Sequence, residues 1–325
     1  MPNLEVNYMG LKLKNPVVAG SSGLTASIDK IRTLEEAGTG AVVLKSLFEE
    51  QINYEAGRLI MNHDYPEAED YIRNYTRSNS VENYLSLIEE AKKSVSIPVI
   101  ASINCITASD WVSFSRRIEE AGADALELNV YYLPTDKFMS PADFENIYYD
   151  LVSKVTGILK IPVAIKLGNH FTNLLGVVDR LYALGARGVV LFNRFYEPDI
   201  DIDRMKLTSA DVFSNPSDLR HVLRWTALVS DKVSLVDISA STGVHSWEAV
   251  VKQLLAGAKT VQVCSLLYKS GLKEAGNLVR GLSEWMEKKG FDSVDAFRGR
   301  MSYRNIPDPS VYERSQFMKY FSGIH

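Results

Sequence analysis

Two lysines, three asparagines and a string of small hydroxyl residues occupy positions that an apolar core would leave to aliphatic side chains. Lys45-Ser46 follows the apolar run 41–44, Asn104 the run 98–103, Asn129 the run 125–128, Lys166 the run 162–165 and Asn193 the run 188–192. Ser239-Ala240-Ser241-Thr242-Gly243 closes a run begun at Val233, and Cys264-Ser265 closes 260–263. Ammonium groups in a partly desolvated cavity match an anionic ring or a negatively charged substrate. A single lysine at such a place is explained as readily by a side chain that snorkels to solvent. Asparagine amides pair donors and acceptors with the carbonyls and N–H groups of a heterocycle, although one alone is an ordinary turn former. The string 239–243, ahead of a helix opening near Ser246-Trp247-Glu248 and joined by Cys264-Ser265, suits a phosphate held by backbone N–H groups. A plain loop with a serine N-cap accounts for it equally.

Elements that would gather these residues are visible as a repeat. An amphipathic segment ends at a glycine, and an apolar run begins two or three residues later: Gly38 before 41–44, Gly122 before 125–128, Gly185 before 188–192 and Gly257 before 260–263. Glycine suits the left-handed helix C-cap, and a continuous apolar run suits a parallel strand covered on both faces. With the runs at 16–18, 98–103, 162–165 and 233–238 the pattern predicts eight strands alternating with helices. That is one α/β domain over 1–325, a TIM (β/α)₈ barrel. A doubly wound open sheet is the runner-up, and no GxGxxG follows the first strand to favour it. The connections 47–80, 130–140 and 194–217 are long or rich in Tyr and Asp. In a barrel all of them emerge at the C-terminal face, where such folds place their chemistry.

Composition narrows the partners. The chain has 325 residues, 46% hydrophobic and 23% charged, with a net charge of −4 and no basic stripe. Nucleic acid is not an expected partner. No stretch reaches the roughly 18 apolar residues of a membrane span and no signal-like N-terminus is seen, so the expectation is a cytoplasmic protein. Cys105 and Cys264 are far apart and lack partners at metal-ligand spacing, and the five histidines are scattered. Reduced, buried thiols and no metal are expected.

Some of these residues also carry a resemblance. Lys14-Asn15-Pro16 with Ala19-Gly20-Ser21, Ala37-Gly38 leading to Lys45-Ser46, Glu127-Leu128-Asn129, Ala164-Ile165-Lys166-Leu167, Asn193, Gln262-Val263-Cys264-Ser265, and Lys288-Lys289-Gly290-Phe291 leading to Phe297-Arg298-Gly299 occur in this order. Over nearly its whole length the chain resembles the class 1 dihydroorotate dehydrogenases. The resemblance implies an FMN-dependent dehydrogenase acting on CH–CH bonds, in which a dihydropyrimidine passes hydride to the flavin in pyrimidine biosynthesis. By matching positions, Ala19, Gly20, Ser21, Lys45, Ser46, Asn104, Asn129 and Lys166 would surround the ring and ribityl chain. Ser241, Thr242, Gly243, Cys264 and Ser265 would hold the phosphate. Asn74, Asn129 and Asn193 would face the substrate. A homodimer is also implied, while the electron acceptor is not identified.

Departures from the family pattern fall at the substrate side. Where the family reads Asn-x-Ser-Cys-Pro-Asn, with Cys or Ser as base, this chain has Asn129-Val130-Tyr131-Tyr132-Leu133-Pro134. Tyr132 stands at the base position, as a phenol needing activation or as an aromatic wall over the flavin. Lys45 is the other catalytic candidate. Arg194 replaces the usual Ser after the substrate asparagine and would favour an anionic partner. Thr76-Arg77-Ser78-Asn79-Ser80 replaces the substrate loop, and Thr242-Gly243 replaces paired phosphate-loop glycines. A flavin oxidoreductase with another anionic substrate and a non-catalytic flavin-binding protein are the alternatives.

Overall fold

A computed structural model describes residues 1–48, 69–104, 108–194 and 197–314. In chain order its strands are β1 (Val6–Tyr8), β2 (Leu11–Leu13), β3 (Val17–Ala19), β4 (Ala41–Val43), β5 (Leu47–Phe48), β6 (Val99–Asn104), β7 (Ala125–Asn129), β8 (Val163–Leu167), β9 (Gly188–Leu191), β10 (Pro198–Asp201), β11 (Lys206–Ser209), β12 (Asp237–Ser241) and β13 (Thr260–Val263). Nine of them are parallel: eight neighbour one another in the order β4-β3-β13-β12-β9-β8-β7-β6, β6 returns to β4 through Val42↔Val99 and Val43↔Ile100, and the short β5 adds to the end of β6. The ring is closed, so the fold is the (β/α)₈ barrel, with its helices outside. Strands such as β3, β4 and β9 are buried at every residue because barrel side chains cover one face and helices the other.

The four junction glycines all have left-handed φ, from +93° at Gly122 to +119° at Gly257, as the repeat requires. Tyr84, on the helix Glu69–Ser94, ties that helix to β6: its hydroxyl donates to the Ser102 carbonyl at 2.8 Å and accepts from the Ser102 N–H at 2.7 Å.

Two expectations are corrected, and one connection gains detail. The seventh barrel strand is Asp237–Ser241, not 233–238: Leu235 lies 73% exposed ahead of it, and Ser239 turns inward to the Thr260 hydroxyl at 2.8 Å. Thr76-Arg77-Ser78-Asn79-Ser80 is helical, inside Glu69–Ser94, because straight-chain and polar residues without glycine or proline extend the helix backwards. The connection 194–217 carries an antiparallel ribbon of β10 and β11 whose Ile200 and Leu207 stand opposite each other and are exposed. Among the described residues no helix is long and apolar enough to cross a membrane.

Candidate functional site

At the C-terminal rim the strand ends form one polar chain. The Ser21 hydroxyl accepts from the Ser46 N–H at 2.9 Å and lies 3.0 Å from the Ser46 hydroxyl. Ser46 Oγ is 2.7 Å from Ser102 Oγ and accepts from Asn129 Nδ2 at 3.3 Å. Asn193 Nδ2 then donates to Asn129 Oδ1 at 2.6 Å. Five barrel segments are thereby linked, and both asparagine amides have their orientation set by the network rather than by chance rotamers.

Beside this chain, Lys166 is register-paired with Asn129 and is only 8% exposed. Its ammonium lies 3.5 Å from Gln262 Oε1 and 3.8 Å from Glu127 Oε1, and Gln262 Nε2 donates to Glu127 Oε2 at 2.6 Å. A Cβ added at Gly20 would come within 3.4 Å of Gln262 Oε1, so glycine keeps the space beside that amide clear.

Lys166, Ser21 and Asn193 line a cavity of about 470 Å³ together with Ser241, Thr242, Gly243, Cys264 and Ser265. Thr242 and Gly243 both have positive φ (84° and 78°), which turns the chain sharply after β12. The Thr242 hydroxyl donates to the Phe192 carbonyl at 3.0 Å. Ser265 Oγ accepts from the Ser214 N–H at 3.0 Å, and Ser214 Oγ in turn lies 3.0 Å from His245 Nε2. Burial lowers the pKa of His245, and the nearby Lys269 charge adds to the effect. Burial pushes the Cys264 thiol up, against the opposing pull of a Ser22 hydrogen bond and of Lys166. Cys264 is free but only partly buried, which corrects the expectation of a buried thiol; Cys105 lies outside the described residues.

Other expected residues are placed differently. Lys45 and Ser46 line a separate cavity of about 540 Å³ with Tyr84, Asn83 and Glu90, so Lys45 shares the rim but not the Lys166 cavity. Asn104 closes β6 opposite Phe48, next to that second cavity. Arg194 reaches the Lys166 cavity, yet its guanidinium is used internally, by the Asp218 carboxylate at 3.0 Å and by the carbonyls of Asp211 and Val212. Tyr132 packs on Phe144 with ring centroids 6.0 Å apart, in an aromatic cluster that continues through Tyr148, His170 and Phe171. Ala19 ends β3 and is buried below the rim. The side chain of Asn74 lies outside the described residues.

Sequence reasoning missed Glu127 and Gln262 as polar members of the barrel interior. A carboxylate between Leu126 and Leu128, in a strand with no exposed face, was the available signal.

A cavity lined by an ammonium and by the hydroxyl-rich turn 241–243 matches a ligand carrying a polar ring and a phosphate; the residues present therefore fit a flavin mononucleotide. A family model described as dihydroorotate dehydrogenase matches residues 3–286. A protein of Aeropyrum pernix named "Putative dihydroorotate dehydrogenase A (fumarate)" is 30% identical over 310 residues, covering 92% of this chain and 97% of that one. A "Dihydroorotate dehydrogenase B (NAD(+)), catalytic subunit" of Thermoplasma acidophilum is 27% identical over 304 residues, covering 92% and 99%. A protein of the same name from Pyrococcus abyssi is 27% identical over 308 residues, covering 91% and 98%.

Proposed function

The chain belongs to the dihydroorotate dehydrogenase family, and on that premise we propose that it is an FMN-dependent oxidoreductase that takes hydride from a dihydropyrimidine, in cytoplasmic pyrimidine biosynthesis. The observation that carries this reading is one cavity lined both by Lys166 and by residues 241–243 and 264–265. Bound FMN would supply the hydride acceptor. Lys166 would face the electron-poor part of the ring and offset negative charge there. Backbone N–H groups of Thr242 and Gly243, with Ser241, Cys264 and Ser265, would hold the phosphate, while Ala19, Gly20, Ser21, Ser46 and Asn104 would border the ring and ribityl chain. Asn129 and Asn193, locked to one another, would orient the substrate. Lys45, which the resemblance also assigns to the flavin, lines the neighbouring cavity instead. Relatives named for fumarate and for NAD(+) leave the acceptor unassigned.

The test is direct. Purified protein should show flavin absorption bands that bleach when dihydroorotate is added anaerobically. Colourless protein that also refuses added FMN would reject the reading, and flavin that no dihydropyrimidine reduces would favour a non-catalytic flavin protein. The alternative in which Arg194 recruits a different anionic substrate gains no support from its geometry, because all three guanidinium nitrogens are engaged within the protein.

Tyr132 is read as a wall. Its ring is held by Phe144, so Tyr132→Phe should leave the rate of flavin reduction within about threefold, whereas loss of a general base costs roughly 10²-fold or more. Stopped-flow reduction separates the two, and a hundredfold drop would restore Tyr132 as the base. The homodimer that the resemblance implies would draw on the β10–β11 ribbon, whose Ile200 and Leu207 form an exposed cross-strand apolar pair. Ile200→Asp with Leu207→Asp should convert a dimer to a monomer in light scattering; a wild-type monomer, or a dimer indifferent to both changes, removes the proposal.

A further inference from the structure

Inside the barrel, below the rim, sits a bond that an aliphatic core would not contain. Gln262 on β13 and Glu127 on β7 belong to strands four places apart in a ring of eight, so they face each other across the barrel's diameter. Their 2.6 Å bond spans the interior, and Glu127 is 1% exposed. Side chains in these barrel layers are ordinarily branched aliphatics. A buried carboxylate is costly unless it is paired and hydrogen-bonded. Glu127 is only half provided for: Oε2 takes the Gln262 amide, while Oε1 has no hydrogen-bond partner among the described residues and finds the Lys166 ammonium at 3.8 Å.

The orientation of Gln262 follows from its neighbours' chemistry. An ionised carboxylate only accepts and an ammonium only donates, so the amide must turn its Nε2 toward Glu127 and its Oε1 toward Lys166, as is found. Lys166 is thus held from below by two acceptors on opposite walls, one neutral and one charged. The arrangement fixes where the ammonium stands and offsets part of its charge.

We propose that Glu127 and Gln262 are positioning residues that set, through Lys166, how strongly the cavity prefers the reduced over the oxidised form of a bound flavin. The inference rests on the FMN reading given above. Glu127→Gln keeps the shape but removes the negative charge, leaving Lys166 uncancelled. The reduced, more negative ring should then be bound about tenfold more tightly relative to the oxidised one. Gln262→Met keeps the bulk but removes the amide. Lys166 then falls back onto Glu127 and away from the cavity, and the same ratio should decrease.

The experiment measures oxidised-FMN affinity by fluorescence quenching and the midpoint potential by anaerobic dye titration for wild type, E127Q and Q262M, with circular dichroism to establish folding. Shifts of opposite sign support the proposal. Unchanged potentials in folded, flavin-bound variants overturn it, as do shifts of the same sign, which a merely structural role would produce. Should E127Q not fold, Q262M decides alone: a lowered ratio supports the assignment and an unchanged one ends it. Wild-type protein that binds no FMN is a separate result, since it rejects the cofactor reading itself and this inference with it.

Discussion

Lys166→Met is expected to give a folded protein that takes up flavin but reduces it more slowly by on the order of 10²–10³-fold, the usual cost of removing one preorganised charge from a reacting site. Methionine matches the stem of lysine closely, so the packing of β8 against Asn129 should survive and the loss should be electrostatic. The substitution has a second consequence. Glu127, 3.8 Å from the ammonium and almost wholly buried, loses its only cationic neighbour among the described residues. Removing one member of such a pair destabilises by about 3 kcal/mol. The double change Lys166→Met with Glu127→Gln should therefore recover most of the stability seen in a urea melt while leaving flavin reduction slow. A single variant that reduces flavin within threefold of wild type would show that Lys166 takes no part. A double variant that regains the rate would trace the defect to distortion instead.

This separation of charge from packing also marks what is legible in sequence. Parallel barrel strands are buried on both faces, so β4 and β9 read as unbroken apolar runs, β7 and β13 as apolar runs interrupted by Glu127 and by Thr260 and Gln262, and the left-handed glycines before all four punctuate each unit. β12 does not, because its interior face carries Ser239, which is satisfied by Thr260 rather than by hydrocarbon. The apolar residues just before it, Val233 and Val236, belong to the end of the preceding helix and its turn. The ribbon of β10 and β11 has both faces exposed, so burial imposes no alternation on it. For the site, topology alone brings strand-end residues to one rim, and Ser46, Asn129, Lys166 and Asn193 gather there. Side-chain direction is another matter. Lys45 turns to a different cavity and Arg194 to Asp218 and the carbonyls of Asp211 and Val212, outcomes decided by partners 17 or more residues away in the chain, which no local pattern encodes.

Gly243→Ala should cost more than any other single methyl group added at this site. Gly243 has φ +78°, and a Cβ there would lie 2.2 Å from the backbone nitrogen of Leu219 and 2.7 Å from its Cα. These are main-chain atoms at the start of the helix Leu219–Lys232, so no rotamer change relieves the overlap. Gly10 supplies the control: it has φ +86° in the turn between β1 and β2, with nothing within 4 Å of a built Cβ. Gly10→Ala should therefore show the left-handed strain alone, about 1 kcal/mol. Gly243→Ala adds a backbone displacement, for a total of about 3 kcal/mol, or roughly 4 °C in Tm for a chain of this size. The displaced segment is the cavity-lining turn proposed to hold the phosphate, so FMN affinity should fall by roughly 100-fold as charge-assisted bonds to it are lost. Gly10→Ala, at the opposite end of the barrel, should bind FMN like wild type. Equal melting losses for the two variants would show that the helix yields to the added methyl. Unchanged FMN affinity in Gly243→Ala would move the phosphate away from this turn, and with it the orientation of the flavin relative to Lys166.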